Sequence, residues 1–154
     1  MKKILMILLP ISLFLSIGFS QQEYNMNDLV EMDYGLWTEK FSDEPITGKV
    51  YHSTGKIYGE TTFKDGKKDG LWTQWDENGQ KRFEVTYKDG KNDGLVTWWY
   101  ENGQMEQEVT YKDGEFDGKL EGWDENGQKR LEKTYKDGNQ ISSKCWDEEG
   151  NECE

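Results

Sequence analysis

Few residues in this chain have the types and spacing that chemistry needs. His52 is the sole histidine and stands in Tyr51-His52-Ser53, just ahead of Gly55. A Ser-His-acid triad would also need a nucleophile on a strained turn such as Gly-x-Ser-x-Gly, and the sequence contains none. One histidine and two cysteines fall short of the donors of a usual zinc site. Asp89-Gly90-Lys91-Asn92-Asp93-Gly94 comes nearest to a calcium loop. Lys91 stands at its third ligand position, however, and Tyr100 at the twelfth, where a bidentate Glu belongs. The pairs Asp65/Asp69, Asp89/Asp93 and Asp113/Asp117 are read as solvated turn carboxylates, because Asp and Gly favour turns. No catalytic residue, metal ligand or cofactor is assigned, and the chain is read as non-enzymatic.

What recurs is a whole segment. "KDGKKDGLWTQWDENGQKR" from Lys64 returns as "KDGKNDGLVTWWYENGQME" from Lys88 and "KDGEFDGKLEGWDENGQKR" from Lys112, a period of 24 residues. Gly66, Gly90, Gly114 and Gly138 are in step. So are Gly79, Gly103 and Gly127, with Gly55 one period earlier. Trp75, Trp99 and Trp123 form one aromatic column, and Phe63, Tyr87, Tyr111 and Tyr135 form another. Periods of this size mark arrays in which each unit packs on its neighbours.

The elements that must position these residues are strands. Lys-Asp-Gly and Glu-Asn-Gly alternate as turn signals, and runs such as Gln80–Tyr87 carry apolar residues at every second position. The expectation is an all-β chain, an elongated antiparallel β-meander of 24-residue hairpins in a single sheet. A three-residue loop Glu77-Asn78-Gly79 would set Asp76 opposite Gln80 and Trp75 opposite Lys81. Continued without a break, that register puts Thr73 opposite Phe83 and Leu71 opposite Val85. It collects Leu71, Trp75, Phe83, Val85, Tyr87, Leu95, Trp99, Val109, Tyr111, Trp123, Leu131 and Tyr135 on one face. Arg82, Glu84, Glu106, Glu108, Arg130 and Glu132 fall on the other. Trp72, Val96, Trp98, Tyr100 and Leu120 then stand out as apolar residues on the charged face. Of these, Trp72, Trp98 and Tyr100 are the candidate binding residues, since an exposed aromatic patch marks a contact site.

The same loop rule applied to Glu148-Glu149-Gly150 pairs Asp147 with Asn151, Trp146 with Glu152 and Cys145 with Cys153. Directly opposed Cβ atoms lie about 4.5–5.5 Å apart, within reach of a disulfide after a small adjustment. A Cys145–Cys153 bridge across the terminal hairpin is expected.

Residues 1–20 read as a secretory signal. Lys2 and Lys3 precede an apolar run from Ile4 to Phe19, and small residues lead to cleavage near Ser20. The expected location is the periplasm or the exterior, where disulfides persist. The remaining expected parts are a divergent capping segment at 21–44, repeats at 45–138 and a degenerate capping hairpin at 139–154. The net charge of −12 becomes −14 once the two leader lysines are removed. A field of that sign disfavours nucleic acid and anionic membrane surfaces. Hydrophobic residues make up only 33% of the chain, but 14% is aromatic, so ring packing must replace an aliphatic core.

The phased Asp-Gly, Leu-Trp and Glu-Asn-Gly signals, with the lead-in "EPITGKVY" (Glu44–Tyr51), resemble the MORN-repeat variant family. In bacteria the likeness is to YwqK-type, antitoxin-like repeat proteins. It spans roughly Pro45 to Gly138. The resemblance implies stacked β-hairpins in a curved single sheet and no catalytic set. The expected function is a protein-binding or scaffold module whose partner is another protein. The alternatives are an antitoxin- or immunity-like inhibitor of a toxin, and a glycan-binding envelope protein.

Overall fold

The structure, a computed structural model, describes residues 22–32, 35–54 and 57–153. The expected leader at 1–20 lies outside the described residues. Two turn chemistries generate the described architecture. In the Lys-Asp-Gly turns, Asp65 and Gly66 take φ of 49° and 76°, and the later copies repeat this. Two consecutive left-handed residues make a tight hairpin loop, which is why Asp-Gly recurs there. In the Glu-Asn-Gly turns, the Asp76 N–H donates to the Gln80 carbonyl, and Gly79 at φ 77° closes the loop. Asp76 Oδ1 also accepts from the backbone of Asn78 and Gln80. Asp124 and Asp147 do the same for their turns.

Strands follow one another between these turns. β4 (Gly48–Thr54), β5 (Ile57–Lys64) and β7 (Gly70–Trp75) lead into β8 (Lys81–Lys88) and β9 (Lys91–Trp99). β10 (Met105–Lys112), β11 (Glu115–Trp123), β12 (Lys129–Lys136) and β13 (Asn139–Cys145) complete the series. Each pairs antiparallel with the next, and the short β6 (Lys67–Lys68) pairs with β5. This is the expected β-meander of consecutive hairpins.

The N-terminal segment adds β1 (Glu23–Asn25), which pairs parallel with β4 and so occupies one edge of the sheet. β2 (Leu29–Glu31) and β3 (Trp37–Glu39) form a separate small hairpin. Leu29 from this segment is buried with Ile46, Val50 and Phe63, and Tyr24, Met26 and Trp37 pack around them.

The repeats bury a second cluster. Val85, Val96, Val109 and Leu120 stand directly opposite one another on four successive strands. Each such side chain, once buried, contributes about 1.5–3 kcal/mol. Trp72, Phe83, Tyr87, Trp98, Tyr111, Phe116, Leu131 and Tyr135 pack around this row. Ring centroids are 5.2 Å apart for Phe83–Trp98, 4.7 Å for Tyr111–Phe116 and 4.9 Å for Phe116–Tyr135.

The face assignment read from an unbroken register is corrected here. Trp75 does oppose Lys81, but Gln74 opposes Phe83 and Trp72 opposes Val85. Arg82 is an extra residue at this point, so β8 bulges and the pairing beyond it moves by one. The same shift separates Trp99 from Trp98 and Trp123 from Gly122. Trp72, Val96, Trp98 and Leu120 therefore belong to the apolar face. Trp75, Trp99 and Trp123 keep company with one another on the opposite face, beside Thr73, Thr97 and Glu121. Leu71 and Leu95, expected inside, are 48% and 44% exposed.

Candidate functional site

The two faces of the ribbon offer different chemistry. On the apolar face, Trp72 meets Phe83 edge-on at 5.8 Å and Tyr87 at 6.0 Å. Lys68 lies 4.0 Å above the Trp72 ring and 4.9 Å above that of Tyr87, and burial pushes its ammonium below the ordinary value. Among the described residues, the hydrophobic side chains that pack on this row come from the sheet itself. His52 sits at the far end of this face. Its Nδ1 is buried without a hydrogen-bond partner among the described residues, and a Cβ on Gly59 would come within 3.0 Å of it. The bare glycine is what leaves room for the imidazole.

Across the opposite face runs a ladder of polar residues in register. Thr73 opposes Glu84, Glu84 opposes Thr97 and Thr97 opposes Glu108. Glu108 opposes Glu121, Glu121 opposes Glu132 and Glu132 opposes Lys144. Thr73 and Thr97 are buried, so the ladder is partly shielded from water. Two lysines compensate it. Lys81 Nζ donates to Glu84 at 2.5 Å and lies 5.3 Å from the centre of the Trp99 ring. Lys129 Nζ donates to both Glu121 and Glu132 and lies 5.9 Å from the Trp146 ring. These bonds lift the Lys129 ammonium and hold the Glu132 carboxyl below their ordinary values. Two of the units thus fold a lysine over a carboxylate and an indole, a charge-assisted and cation–π arrangement combined.

Along one long edge the Glu-Asn-Gly turns concentrate negative charge. Arg130 pairs with Asp124 at 2.7 Å, and Arg82 with Asp76 at 3.3 Å. Asp124 is held below the ordinary carboxyl value, first by the backbone N–H of Gln128 and further by Arg130. Tyr100 replaces this aspartate in the middle unit, and its hydroxyl donates to the Trp123 carbonyl at 2.8 Å. A cleft of about 340 Å³ opens between two such turns, lined by Asp76, Asn78, Gln80, Arg82 and Glu101.

Trp72, Trp98 and Tyr100 do not come together as one patch. The first two join the aromatic packing around Val85, while Tyr100 lies in the turn edge and is tied to β11. Tyr87, Tyr111 and Tyr135 line the apolar face, and Phe63 lies in the N-terminal cluster. Cys145 and Cys153 are bonded, with Cα atoms 5.4 Å apart, and the Cys153 N–H donates to the Cys145 carbonyl. Phe116 links two tyrosines and was not singled out by the repeat pattern, because Lys68 and Asn92 take its place in the sister units.

With this geometry the sequence comparisons have a clear meaning. The MORN repeat variant matches at residues 46–65, 68–89, 92–113 and 116–137, together more than half of the chain. The chain belongs to the MORN-repeat variant family. No curated protein and no solved structure matches it. Each of the last three MORN matches starts in the strand that leaves a Lys-Asp-Gly turn and ends in the next such turn. A MORN unit here is therefore strand, Glu-Asn-Gly turn and strand, closed by an Asp-Gly corner. MORN repeats are modules often involved in binding and are generally non-catalytic. No helix among the described residues is long and apolar enough to cross a membrane.

Proposed function

We propose that the chain is a non-enzymatic scaffold that binds another protein along its ribbon in the bacterial periplasm or outside the cell. The observation that carries this reading is the in-register polar ladder, bracketed by two Lys–Glu–Trp sets, that runs half-buried along one face of the sheet. Such a face presents a row of evenly spaced polar contact groups to an elongated partner. The leader-like residues 1–20 and the Cys145–Cys153 bond support export, because disulfides persist in oxidising compartments. A second reading, an antitoxin- or immunity-like inhibitor, is favoured by the acidic turn edge and the charge of −12, which would steer a basic toxin onto the ribbon.

The test is crosslinking and capture from envelope fractions, together with mass analysis of the exported chain. Processing near Ser20 and a partner whose crosslinks map to the ladder face support the scaffold reading. Retention of the full leader in the cytoplasm, or crosslinks confined to the chain termini, overturns it. Growth rescue of a co-expressed toxic partner distinguishes the inhibitor from the passive scaffold.

A further inference from the structure

The repeats are not equivalent at the ladder, and the difference lies in one unit. Position by position, Lys81 and Lys129 correspond to Met105 in the middle unit, and Glu84 and Glu132 correspond to Glu108. Arg82 and Arg130 correspond to Glu106, and Asp76 and Asp124 to Tyr100. The middle unit has therefore lost both cations and kept the carboxylate. Met105 is in effect a lysine side chain that ends one atom short, since its thioether reaches about as far as the lysine methylenes but carries no ammonium.

The consequences are visible in the contacts. Glu84 has Lys81, and Glu132 has Lys129. Glu108 has no side-chain hydrogen bond or ion pair among the described residues. It faces another carboxylate instead, because Glu121, whose own cation is Lys129 on its far side, stands directly opposite. Burial, and secondarily Glu121, raise the Glu108 carboxyl above its ordinary value. Trp99 and Trp146 each have a lysine near the ring, whereas Trp123, which holds the matching place beside Met105, has none among the described residues. Two sister repeats show that this combination of carboxylate and indole holds a primary ammonium.

We propose that Glu108, Glu121 and Trp123 form a docking slot for one lysine side chain of a basic partner protein, with Met105 as its floor. The proposal rests on the protein-binding reading above and names the chemistry of the contact. A second copy of this chain is a poor occupant, since two bodies of charge −12 repel. Lysine is favoured over arginine because the sister units hold a compact ammonium between a carboxylate and a ring. A guanidinium is broader and prefers a bidentate fork. The incoming ammonium would relieve the Glu108–Glu121 opposition and supply the cation that the Trp123 ring lacks.

The experiment uses the full chain with a tetralysine peptide and its fully Nε-acetylated counterpart. It reads the indole N–H resonance of Trp123, assigned with Trp123→Phe. The expected result is a Trp123 shift with tetralysine and none with the acetylated peptide. Met105→Lys fills the slot from within and should weaken tetralysine binding at least tenfold. Ser143→Lys adds the same charge on an exposed site of the opposite face and should leave binding within twofold. Glu108→Gln, which keeps the shape, should match Met105→Lys. Equal weakening by Ser143→Lys, or unchanged binding by Met105→Lys, overturns the slot. A natural partner captured equally well by Met105→Lys removes the slot while leaving the scaffold reading intact. Tetralysine binding that depends on Glu108, without any partner on the ladder face, removes the scaffold reading alone.

Discussion

Leu95 and Val96 are neighbours in sequence and lie on opposite faces, so truncating each to alanine tests the register directly. Val96 is 2% exposed and stands between Val85 and Val109. Removing its two methyl groups costs about 1.6 kcal/mol in transfer free energy, at roughly 0.8 kcal/mol per carbon. Incomplete collapse of the cavity adds up to about 1 kcal/mol. The expected loss for Val96→Ala is thus about 2–2.5 kcal/mol. Leu95 is the larger residue but is 44% exposed. About half of its transfer term of ~2.4 kcal/mol survives and no closed cavity forms, so Leu95→Ala should cost about 1.3 kcal/mol. Urea unfolding followed by tryptophan fluorescence measures both on one scale. The smaller side chain should prove the more costly to remove. If Leu95→Ala destabilises as much as Val96→Ala, the one-residue shift at the bulge is wrong, and the apolar face must be redrawn with Trp75 and Trp99 in it.

Three further outcomes follow from the same contacts. Glu108→Gln should stabilise the fold at neutral pH by roughly 0.2–1 kcal/mol, because it removes a like-charge pair directly opposed across two strands. Its pH profile has a definite sign. A folded-state carboxyl above its ordinary value of 4.5 opposes stability when ionised, and that penalty disappears as pH falls through the folded value towards 4.5. The gap between Glu108→Gln and the parent chain should therefore close on acidification, and a gap that widens would refute the assignment. Asp117, Asp124 and Asp147 behave in the opposite sense. Held below the ordinary value of 3.8 by Lys136, Gln128 and Asn151 respectively as the first cause, they contribute stability above that value which is lost as pH falls below it. An Asp124→Asn chain should lose less stability than the parent over that acid range in pH-dependent urea melts. Finally, reducing Cys145–Cys153, separated by 8 residues, should cost the terminal hairpin about 2.5 kcal/mol on the chain-entropy estimate. Hydrogen exchange should show faster amides around Trp146 and Cys153 with β8–β11 unchanged. Uniform acceleration would show that the bridge supports the whole sheet.

The sequence alone determined the period, the strand–turn alternation and the geometry of the Glu-Asn-Gly turn. Those features depend on local backbone preference: Asp-Gly and the glycine of Glu-Asn-Gly enter the left-handed region, and alternating side chains follow the pleat. The terminal pairing of Cys145 with Cys153 was legible for the same reason, since it lies within one hairpin. Which face each tryptophan occupies was decided only by the tertiary structure. Arg82 leaves the ladder as an extra residue, and the choice is made by burial of Val85, Val96, Val109 and Leu120 in one continuous row across four strands. No single hairpin contains that row. A bulge changes side-chain parity at one point while its benefit is collected several strands away, so local pattern does not reveal it. The uncompensated Glu108 has the same character: the exchange of lysine for Met105 is plain in the sequence, but its meaning appears only when Glu121 and Trp123 are brought alongside.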